Sequence, residues 1–509
     1  MLFNSIPFLF GFFPVTCVVF YYLGRKNELL AGLWLATASL IFYGWWNPSF
    51  VPLLVSSVIF NYGSGLMISR EITKSTNNFG RSLLTLAITA DLLLLGYFKY
   101  AGFFSEIASE LLSVKPNLGH VILPLGISFF TFTQIAFLVD VYQGKAKELN
   151  FIHYMLFVTY FPHLIAGPIL HHGQMMPQFA EKRIYKIDWR NISAGLTIFV
   201  IGLAKKVLIA DSFSTIATPV FSATQGGAEP LLIEAWAGAL AYTLQIYFDF
   251  SGYSDMAIGL SLFFNVRLPL NFNSPYKSPN IIEFWHRWHM TLSVFLRDYL
   301  YIPLGGNRKG KARRYLNLFA TMLLGGLWHG AGWTFVIWGA LHGFYLVTNH
   351  GYRALRRQLG WQAEMFGRLG TLAAALFTFI LVVVAWVFFR ADSLAAASAM
   401  LNAMANGNGW RSAAGWHFVT SGLNGTNTAL MIGAGLFVVW LLPNTQEFMR
   451  AFPCANAVYE RIAEPRGWAA LIVWQPMHWL TWSSFGILLA LSILMISPAK
   501  VSEFLYYQF

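Results

Sequence analysis

The sequence predicts an all-α, polytopic membrane protein, and three observations lead to that fold class. Of its 509 residues, 56% are hydrophobic and only 11% are charged, whereas soluble domains carry about 25% charged residues. The apolar residues form long continuous runs, which favour helices of ~20 residues over the alternating pattern of membrane β-strands. Lipid offers no hydrogen-bond partners to the backbone, so a spanning segment must be a helix or part of a closed barrel.

The net charge of +12 follows the pattern of a membrane protein rather than that of a nucleic-acid-binding protein. Lys and Arg cluster in short loops between apolar runs, as they do in loops that stay in the cytoplasm. The first such loop, Arg25-Lys26, predicts an external N-terminus and a retained first span over residues 4–23. The two cysteines, Cys17 and Cys454, imply no disulfide framework.

The apolar runs predict roughly 11 to 13 membrane-embedded segments. The clearest runs are 4–23, 29–47, 50–69, 82–98, 121–142, 191–212, 231–248, 371–389, 427–442 and 477–497, with a shorter piece at 251–264. Pro162, Gly167 and Pro168 interrupt the run 151–170, which predicts a broken or re-entrant helix that is buried or lines a cavity. Three further stretches are predicted to lie outside the spans. Residues 105–120 form a polar connection, 405–426 an outer loop and 444–476 an interfacial segment.

Most of the polar chemistry lies in one block, residues 269–342. Within it, residues 281–300 predict an amphipathic helix beside the cytoplasmic face, because large apolar groups recur at helical spacing at Trp285, Trp288, Leu292, Phe295 and Tyr299. The basic run 308–314 then marks the cytoplasmic side. The segments 315–328 and 333–349 form a hairpin whose glycine-rich bend carries His329. We expect His329 to lie deep in the membrane and to be reached from the cytoplasmic face.

The motifs of this block resemble those of the membrane-bound O-acyltransferase family, and within it the bacterial branch that acylates cell-surface polysaccharides. The matching pieces are Asp249-Phe-Ser-Gly-Tyr-Ser-Asp255, Phe284-Trp-His-Arg-Trp-His-Met290, Arg297-Asp-Tyr-Leu-Tyr-Ile-Pro-Leu-Gly-Gly306 and Gly326-Leu-Trp-His-Gly330. Weaker matches occur at Gly44-Trp45, 161–169, 386–391 and Gln508-Phe509. The resemblance implies one domain over 1–509 with a central funnel, divided into N-terminal spans (1–142), a catalytic core (143–350) and C-terminal spans (351–509).

The resemblance also implies roles for individual residues. The family's catalytic His falls on His329, which would act as general base because a neutral imidazole titrates near neutral pH. The second family position, usually Asn or His, falls on His289. The alternatives are a buried His bonded to a backbone carbonyl for His329 and an interfacial His for His289. Four further residues are expected to contact substrate, namely Trp328, Trp285, Arg287 and Arg297, the arginines through donor phosphates or, alternatively, lipid headgroups.

Other polar residues favour structural interpretations. Asp249 and Asp255 are expected to tie helices together, and a charged aspartate there needs an Arg or Lys partner. No metal site is expected, because the spacing of His163, His171 and His172 is not a known zinc spacing. The sequence contains neither a Gly-x-Ser-x-Gly elbow nor a phosphate-binding Gly-x-x-x-x-Gly-Lys loop, so a serine hydrolase and an ATP-driven transporter are disfavoured.

The function implied by the resemblance is O-acetylation of an exported polysaccharide, alginate-like or cellulose-like, from the bacterial inner membrane. The donor would be cytoplasmic acetyl-CoA or another acyl thioester, with no bound cofactor. The expected partners are membrane lipids, a periplasmic or membrane-anchored SGNH-type acetyltransferase and a polysaccharide synthase and secretion complex, with no nucleic acid. Three alternatives stay open: D-alanyl transfer to teichoic acid, a non-enzymatic polysaccharide or lipid translocator, and a non-catalytic scaffold.

Overall fold

The computed structural model describes residues 1–74, 77–112, 121–146, 148–165, 167–361, 367–406, 425–452, 479–496 and 504–505. These residues fold into helices joined by turns, with no β-strand among them. Within this part of the chain, four helical stretches are long and apolar enough to cross a membrane: Pro48–Thr73, Asn78–Leu112, Trp189–Gln225 and Gly367–Arg390. The predicted all-α membrane fold is confirmed. Most of the predicted outer loop and interfacial segment, and part of 105–120, lie outside the described residues.

The first four helices, which are joined by short turns, run in alternating directions. Helices α1 to α9 are Phe13–Gly24, Glu28–Gly44, Val51–Thr73, Asn77–Leu95, Ala101–Leu112, Ile127–Tyr142, Phe151–Thr159, Phe161–Leu164 and His172–Phe179. A wider π-helical turn, Gly96–Tyr100, joins α4 to α5, so the helix extends well beyond the predicted span 82–98. The turn Arg25-Lys26 follows α1 and Lys74 follows α3. Trp45, which follows α2, therefore lies at the opposite end of the bundle from these basic residues.

The remaining helices include one long helix that is buried along most of its length. Helices α10 to α21 are Trp189–Ala204, Asp211–Gln225, Leu232–Leu262, Ile281–Arg287, Met290–Leu296, Lys311–His329, Trp333–Gln358, Gly367–Arg390, Leu394–Asn406, Gly425–Leu441, Thr445–Phe448 and Trp479–Met495. Helix α12 has 31 residues and joins the predicted pieces 231–248 and 251–264 into one helix. It is buried along most of its length and packs mainly against α10 and α11.

Two of the predicted helices are interrupted. The break in 151–170 is confirmed: α7 ends at Thr159, Tyr160 has ψ 112°, and the segment is buried. The prediction of one amphipathic helix over 281–300 is wrong, because His289 adopts a left-handed conformation with φ 43° between α13 and α14. Such a conformation is strained for a residue with a Cβ atom and persists where the surroundings hold it.

Two lysines tie α10 and its continuation to α12. Lys206 Nζ lies 2.7 Å from Asp249 and 2.9 Å from Asp211, and Lys205 Nζ lies 2.7 Å from Asp255. The lysines are adjacent in a π-helical turn that follows α10, and the two partner aspartates of α12 belong to the Asp249–Asp255 motif. These contacts supply the cationic partners that buried aspartates need.

In the hairpin of α15 and α16, the two helices pack so closely at two glycines that no side chain would fit there. A Cβ atom on Gly326 would lie 2.4 Å from the carbonyl oxygen of Phe335 and 2.8 Å from the Cα of Gly339. A Cβ on Gly339 would in turn lie 2.5 Å from the carbonyl oxygen of Met322. The two backbones therefore touch, as small residues allow between membrane helices. The predicted hairpin with His329 at its bend is confirmed.

We expect Gly326→Ala to destabilise the protein by about 1–3 kcal/mol, because the added methyl group has no space and must push α15 away from α16. The measurement is the melting temperature of the detergent-solubilised protein. Gly351→Ala on α16 is the matched control, since a Cβ there has no neighbour within 4 Å. An unchanged melting temperature for Gly326→Ala would contradict the close packing.

We expect Lys206→Met to destabilise the protein by about 3–5 kcal/mol, because Asp249 is left buried without its cation. The double variant Lys206→Met/Asp249→Asn should regain stability, since it removes both charges. Lys74→Met is the control: its side chain is 67% exposed and pairs with Glu71, and an exposed pair contributes about 0–1 kcal/mol. Equal melting temperatures for the Lys206 and Lys74 variants would refute this role of Lys206.

Candidate functional site

The two histidines singled out from the sequence meet in the interior. The ring centroids of His289 and His329 lie 6.4 Å apart. His329 is the last residue of α15 and His289 occupies the break before α14, and they are 4% and 0% exposed. The break and the hairpin bend thus bring two separate motifs to one place.

His289 is oriented by Asn271. The Oδ1 atom of Asn271 accepts hydrogen bonds from the backbone N–H and the hydroxyl of Thr291, at 3.4 and 2.9 Å, and lies 3.2 Å from His289 Nδ1. Because that oxygen only accepts, the His289 proton must sit on Nδ1. A neutral His289 therefore presents a lone pair on Nε2. The ring of Phe250 packs edge-on against the imidazole with centroids 4.8 Å apart.

His329 lies in an aromatic surround. Its ring makes edge contacts with Trp328, Trp338 and Phe389, at centroid distances of 4.8, 5.0 and 5.3 Å. Trp328 also stacks on Phe132 of α6 at 5.2 Å. These rings exclude water from most of the imidazole, and a low local dielectric strengthens any polar interaction that forms there.

A third histidine, His342, belongs to the same cluster. Trp285 Nε1 donates to His342 Nδ1 at 3.2 Å, so the neutral ring of His342 carries its proton on Nε2. This Nε2 and the indole nitrogens of Trp328 and Trp338 are buried and have no hydrogen-bond partner within the described chain. A buried unpaired donor costs about 1–3 kcal/mol, so their concentration here suits acceptor atoms supplied by water or a ligand.

Sequence reasoning did not single out His342, although a local signal was present. His342 follows Trp338 by four positions on α16, which places both on one face of the helix. The remaining signal is tertiary, because its partner Trp285 is 57 positions away.

A cavity of about 770 Å³ reaches Trp328 and His329. Its other lining residues include Met1, Trp45 and the loop before α6. Among the described residues that line this cavity, Lys99 is the one with a charged side chain. Since Met1 and Trp45 lie at the end opposite to Arg25-Lys26, the cavity opens away from the basic turns. The expectation that His329 is reached from the basic, cytoplasmic face is wrong for this cavity.

A second pocket, of about 380 Å³, lies nearer the basic end. Its lining includes Trp285, Met290, Arg297, Arg314 and His350. Arg314 donates to His350 Nδ1 at 3.0 Å. Because Trp285 also contacts His342, this pocket ends beside the histidine cluster.

His350 is neutral at pH 7. It lies beyond the predicted span 333–349, and burial, together with nearby guanidinium groups of Arg314, Arg353 and Arg357, lowers the pKa of His350 to about 4. This agrees with the hydrogen bond from Arg314, since a guanidinium can only donate. The positive charge of this pocket therefore comes from its arginines.

The predicted substrate-contacting residues divide into two groups. Trp328 lines the large cavity of about 770 Å³. Trp285 and Arg297 line the second pocket, which we call the basic pocket, and Arg297 pairs there with Asp298 at 2.7 Å. Arg287 instead pairs with Glu283 one turn earlier at 2.7 Å and is not among the lining residues of either cavity. The structure thus separates Arg287 from the other three.

His171 and His172 take part in one hydrogen-bonded cluster with Asp140 and Tyr299. His172 Nδ1 lies 2.9 Å from Asp140 Oδ2, which also accepts from the Tyr299 hydroxyl at 2.8 Å, while His171 Nδ1 lies 3.1 Å from that hydroxyl. This cluster joins α6, α9 and the turn after α14. Among the residues that the structure describes, no three potential metal ligands come together.

Comparison with known proteins places these motifs in context. The family model of MBOAT, the membrane-bound O-acyltransferase family, matches residues 82–391. The chain is 45% identical over 436 residues to the peptidoglycan O-acetyltransferase of Helicobacter pylori, covering 80% of each chain. It is 40% identical over an alignment of 549 residues to the probable alginate O-acetylase of Pseudomonas aeruginosa, covering 100% of both. It is 27% identical to the teichoic acid D-alanyltransferase of Streptococcus thermophilus, over 48% of this chain and 60% of that protein.

We expect Asn271→Leu to destabilise the protein by about 1–3 kcal/mol, because the buried hydroxyl and N–H of Thr291 lose their acceptor. Asn349→Leu is the matched control, since Asn349 Oδ1 has no hydrogen-bond partner within the described chain. Melting temperatures of both purified variants give the comparison. A larger loss for the Asn349 variant would show that Asn271 does not hold this region.

Proposed function

Because this chain belongs to the membrane-bound O-acyltransferase family and is therefore an O-acyltransferase, we propose that it moves an acetyl group from a cytoplasmic thioester across the bacterial inner membrane for O-acetylation of an exported polysaccharide. The observation that carries the proposal is the His289–His329 pair, which lies between a cavity that opens away from the basic turns and a basic pocket near the other end. The relatives named as acetylating enzymes support acetyl as the group transferred.

The donor is proposed to bind at the basic pocket. Loops rich in Lys and Arg stay in the cytoplasm, so this end of the bundle faces acetyl-CoA. The guanidinium groups of Arg297 and Arg314 would attract the phosphates of the donor. The acyl thioester would then extend past Trp285 and Met290 towards the histidines.

The acceptor hydroxyl is proposed to arrive through the large cavity. His329 accepts the hydroxyl proton, the hydroxyl oxygen attacks the thioester carbonyl carbon, and the carbon–sulfur bond breaks. The proton then passes to the sulfur of the departing thiol. The buried N–H groups of Trp338 and His342 are available to the carbonyl oxygen as negative charge develops on it.

His289 is proposed to orient the reactants rather than to take the first proton. With its proton on Nδ1 and bonded to Asn271, its Nε2 can accept a hydrogen bond from a hydroxyl group. It cannot, in this neutral form, donate a hydrogen bond to the acyl carbonyl. This separates the tasks of the two histidines.

The final acceptor is proposed to be served by a periplasmic or membrane-anchored SGNH-type acetyltransferase, which works with a polysaccharide synthase and secretion complex. The relatives named for alginate and peptidoglycan support an acceptor polymer of that kind. A cellulose-like polymer has no such support. D-alanyl transfer is less favoured, because the D-alanyltransferase matches at 27% identity over 48% of this chain.

We expect His329→Ala to lower polymer acetylation by at least about 100-fold, because loss of a general base typically costs 10²–10⁴ in rate. His289→Ala should also lower it, since the reactants lose one orienting contact. The measurement is the acetyl content of the polymer in a deletion strain complemented with each variant, with the membrane level of the protein checked.

His153→Ala is the control for this experiment, because His153, which lies on α7, pairs with Glu148 and lines neither cavity. Normal acetylation with His329→Ala at normal protein level would contradict acyl transfer through this residue. That result would favour the translocator or the scaffold.

A further inference from the structure

The helix that carries His329 ends without a cap of its own. The last four carbonyl groups of any α-helix lack partners within the helix. Helix α15 ends at His329, and the next residue, Gly330, is extended with φ −159° and ψ 148°, so the chain leaves the helix without a left-handed turn. Gly330 has no side chain that could reach these carbonyls. Partners must therefore come from elsewhere.

Lys99 and Tyr100 provide these partners from the π-helical turn between α4 and α5. The Tyr100 hydroxyl donates to the carbonyl of Leu327 at 3.0 Å. Lys99 Nζ donates to the carbonyls of Trp328 at 2.5 Å and His329 at 3.2 Å. The donor and acceptor of the first Lys99 bond are 229 positions apart in the sequence.

The choice of a lysine follows from the electrostatics of a helix end. A helix C-terminus carries partial negative charge, and a cation there is favourable. At membrane depth an ionisable side chain is expensive unless it has partners, and the two carbonyls supply them. The amine also lies 5.8 Å from the centre of the Trp328 ring, within cation–π distance.

We propose that Lys99 is a positioning residue for His329, and that it fixes the last turn of α15 so that the imidazole faces the large cavity and His289. This inference rests on the proposed function. Lys99 holds both residues that line the cavity at its inner end, Trp328 and His329, through their backbone oxygens. Its loss frees this turn while α15 stays packed on α16 at Gly326.

The central experiment compares Lys99→Met with Lys99→Arg in membranes isolated from the complemented deletion strain. The readout is the initial rate of transfer of labelled acetyl groups from acetyl-CoA to polymer. We expect Lys99→Met to lower the maximal rate about 100-fold, the loss typical of a catalytic group misplaced by about 1 Å, with the KM for acetyl-CoA within about twofold of wild type. Lys99→Arg should restore much of the rate, because a guanidinium also donates to carbonyls.

Lys277→Met is the matched control. Lys277 Nζ donates to the carbonyl of Leu442 at 2.9 Å, just beyond the end of α19, and makes the same kind of bond away from the histidines. We expect the Lys277 variant to keep the wild-type rate. Wild-type rates for Lys99→Met, or equal losses for the Lys99 and Lys277 variants, would overturn the proposal.

Chemical rescue separates positioning from a general loss of stability. The large cavity gives small molecules access to the space that Lys99→Ala leaves, and n-propylamine replaces the missing part of the side chain. We expect the amine to raise the rate of Lys99→Ala saturably and to leave Lys277→Ala unchanged. Absence of any amine-dependent gain would overturn the proposal.

His329→Ala in the same assay separates the two levels of inference. Acetyl transfer by His329→Ala would refute the proposed function, and the positioning role with it. An inactive His329→Ala together with a fully active Lys99→Met would refute the positioning role alone.

Discussion

The structure depends on one constraint: a polar group at membrane depth must find its partner inside the protein. Lys206 meets it by lying between Asp249 and Asp211, and Lys205 by pairing with Asp255. The end of α15 meets it through Lys99 and Tyr100, which donate hydrogen bonds to the carbonyls there. Apart from Lys206–Asp211, each of these contacts joins helices that are distant in sequence, so satisfying the constraint also fixes the tertiary arrangement.

The histidine pair is a product of that arrangement. Close packing at Gly326 and Gly339 aligns α15 with α16 and sets where the hairpin bends. The left-handed conformation of His289 ends α13 and starts α14 at the depth of this bend. Asn271 then sets the tautomer of His289 and anchors Thr291 beside it. Backbone strain at a buried histidine is thus held by packing and hydrogen bonds, as is common at functional sites.

The histidine pair lies between two cavities. The large cavity ends at Trp328 and His329, and the basic pocket ends at Trp285, which is bonded to His342. Between them the cluster is aromatic, and it contains the buried N–H groups of Trp328, Trp338 and His342.

The sequence by itself determined the fold class. Sparse charge and long apolar runs indicate segments in lipid, and there a helix pairs all of its backbone polar groups internally. It also predicted the hairpin bend at His329 through the glycines that follow it, and the broken segment 151–170 through Pro162, because these are local signals. The tertiary structure alone decided what depends on distant residues. It broke 281–300 at His289, and it added His342 to the site and Lys99 to the end of α15. Periodicity records which face of a helix is buried, but the partner of a buried polar group is chosen only when the helices pack.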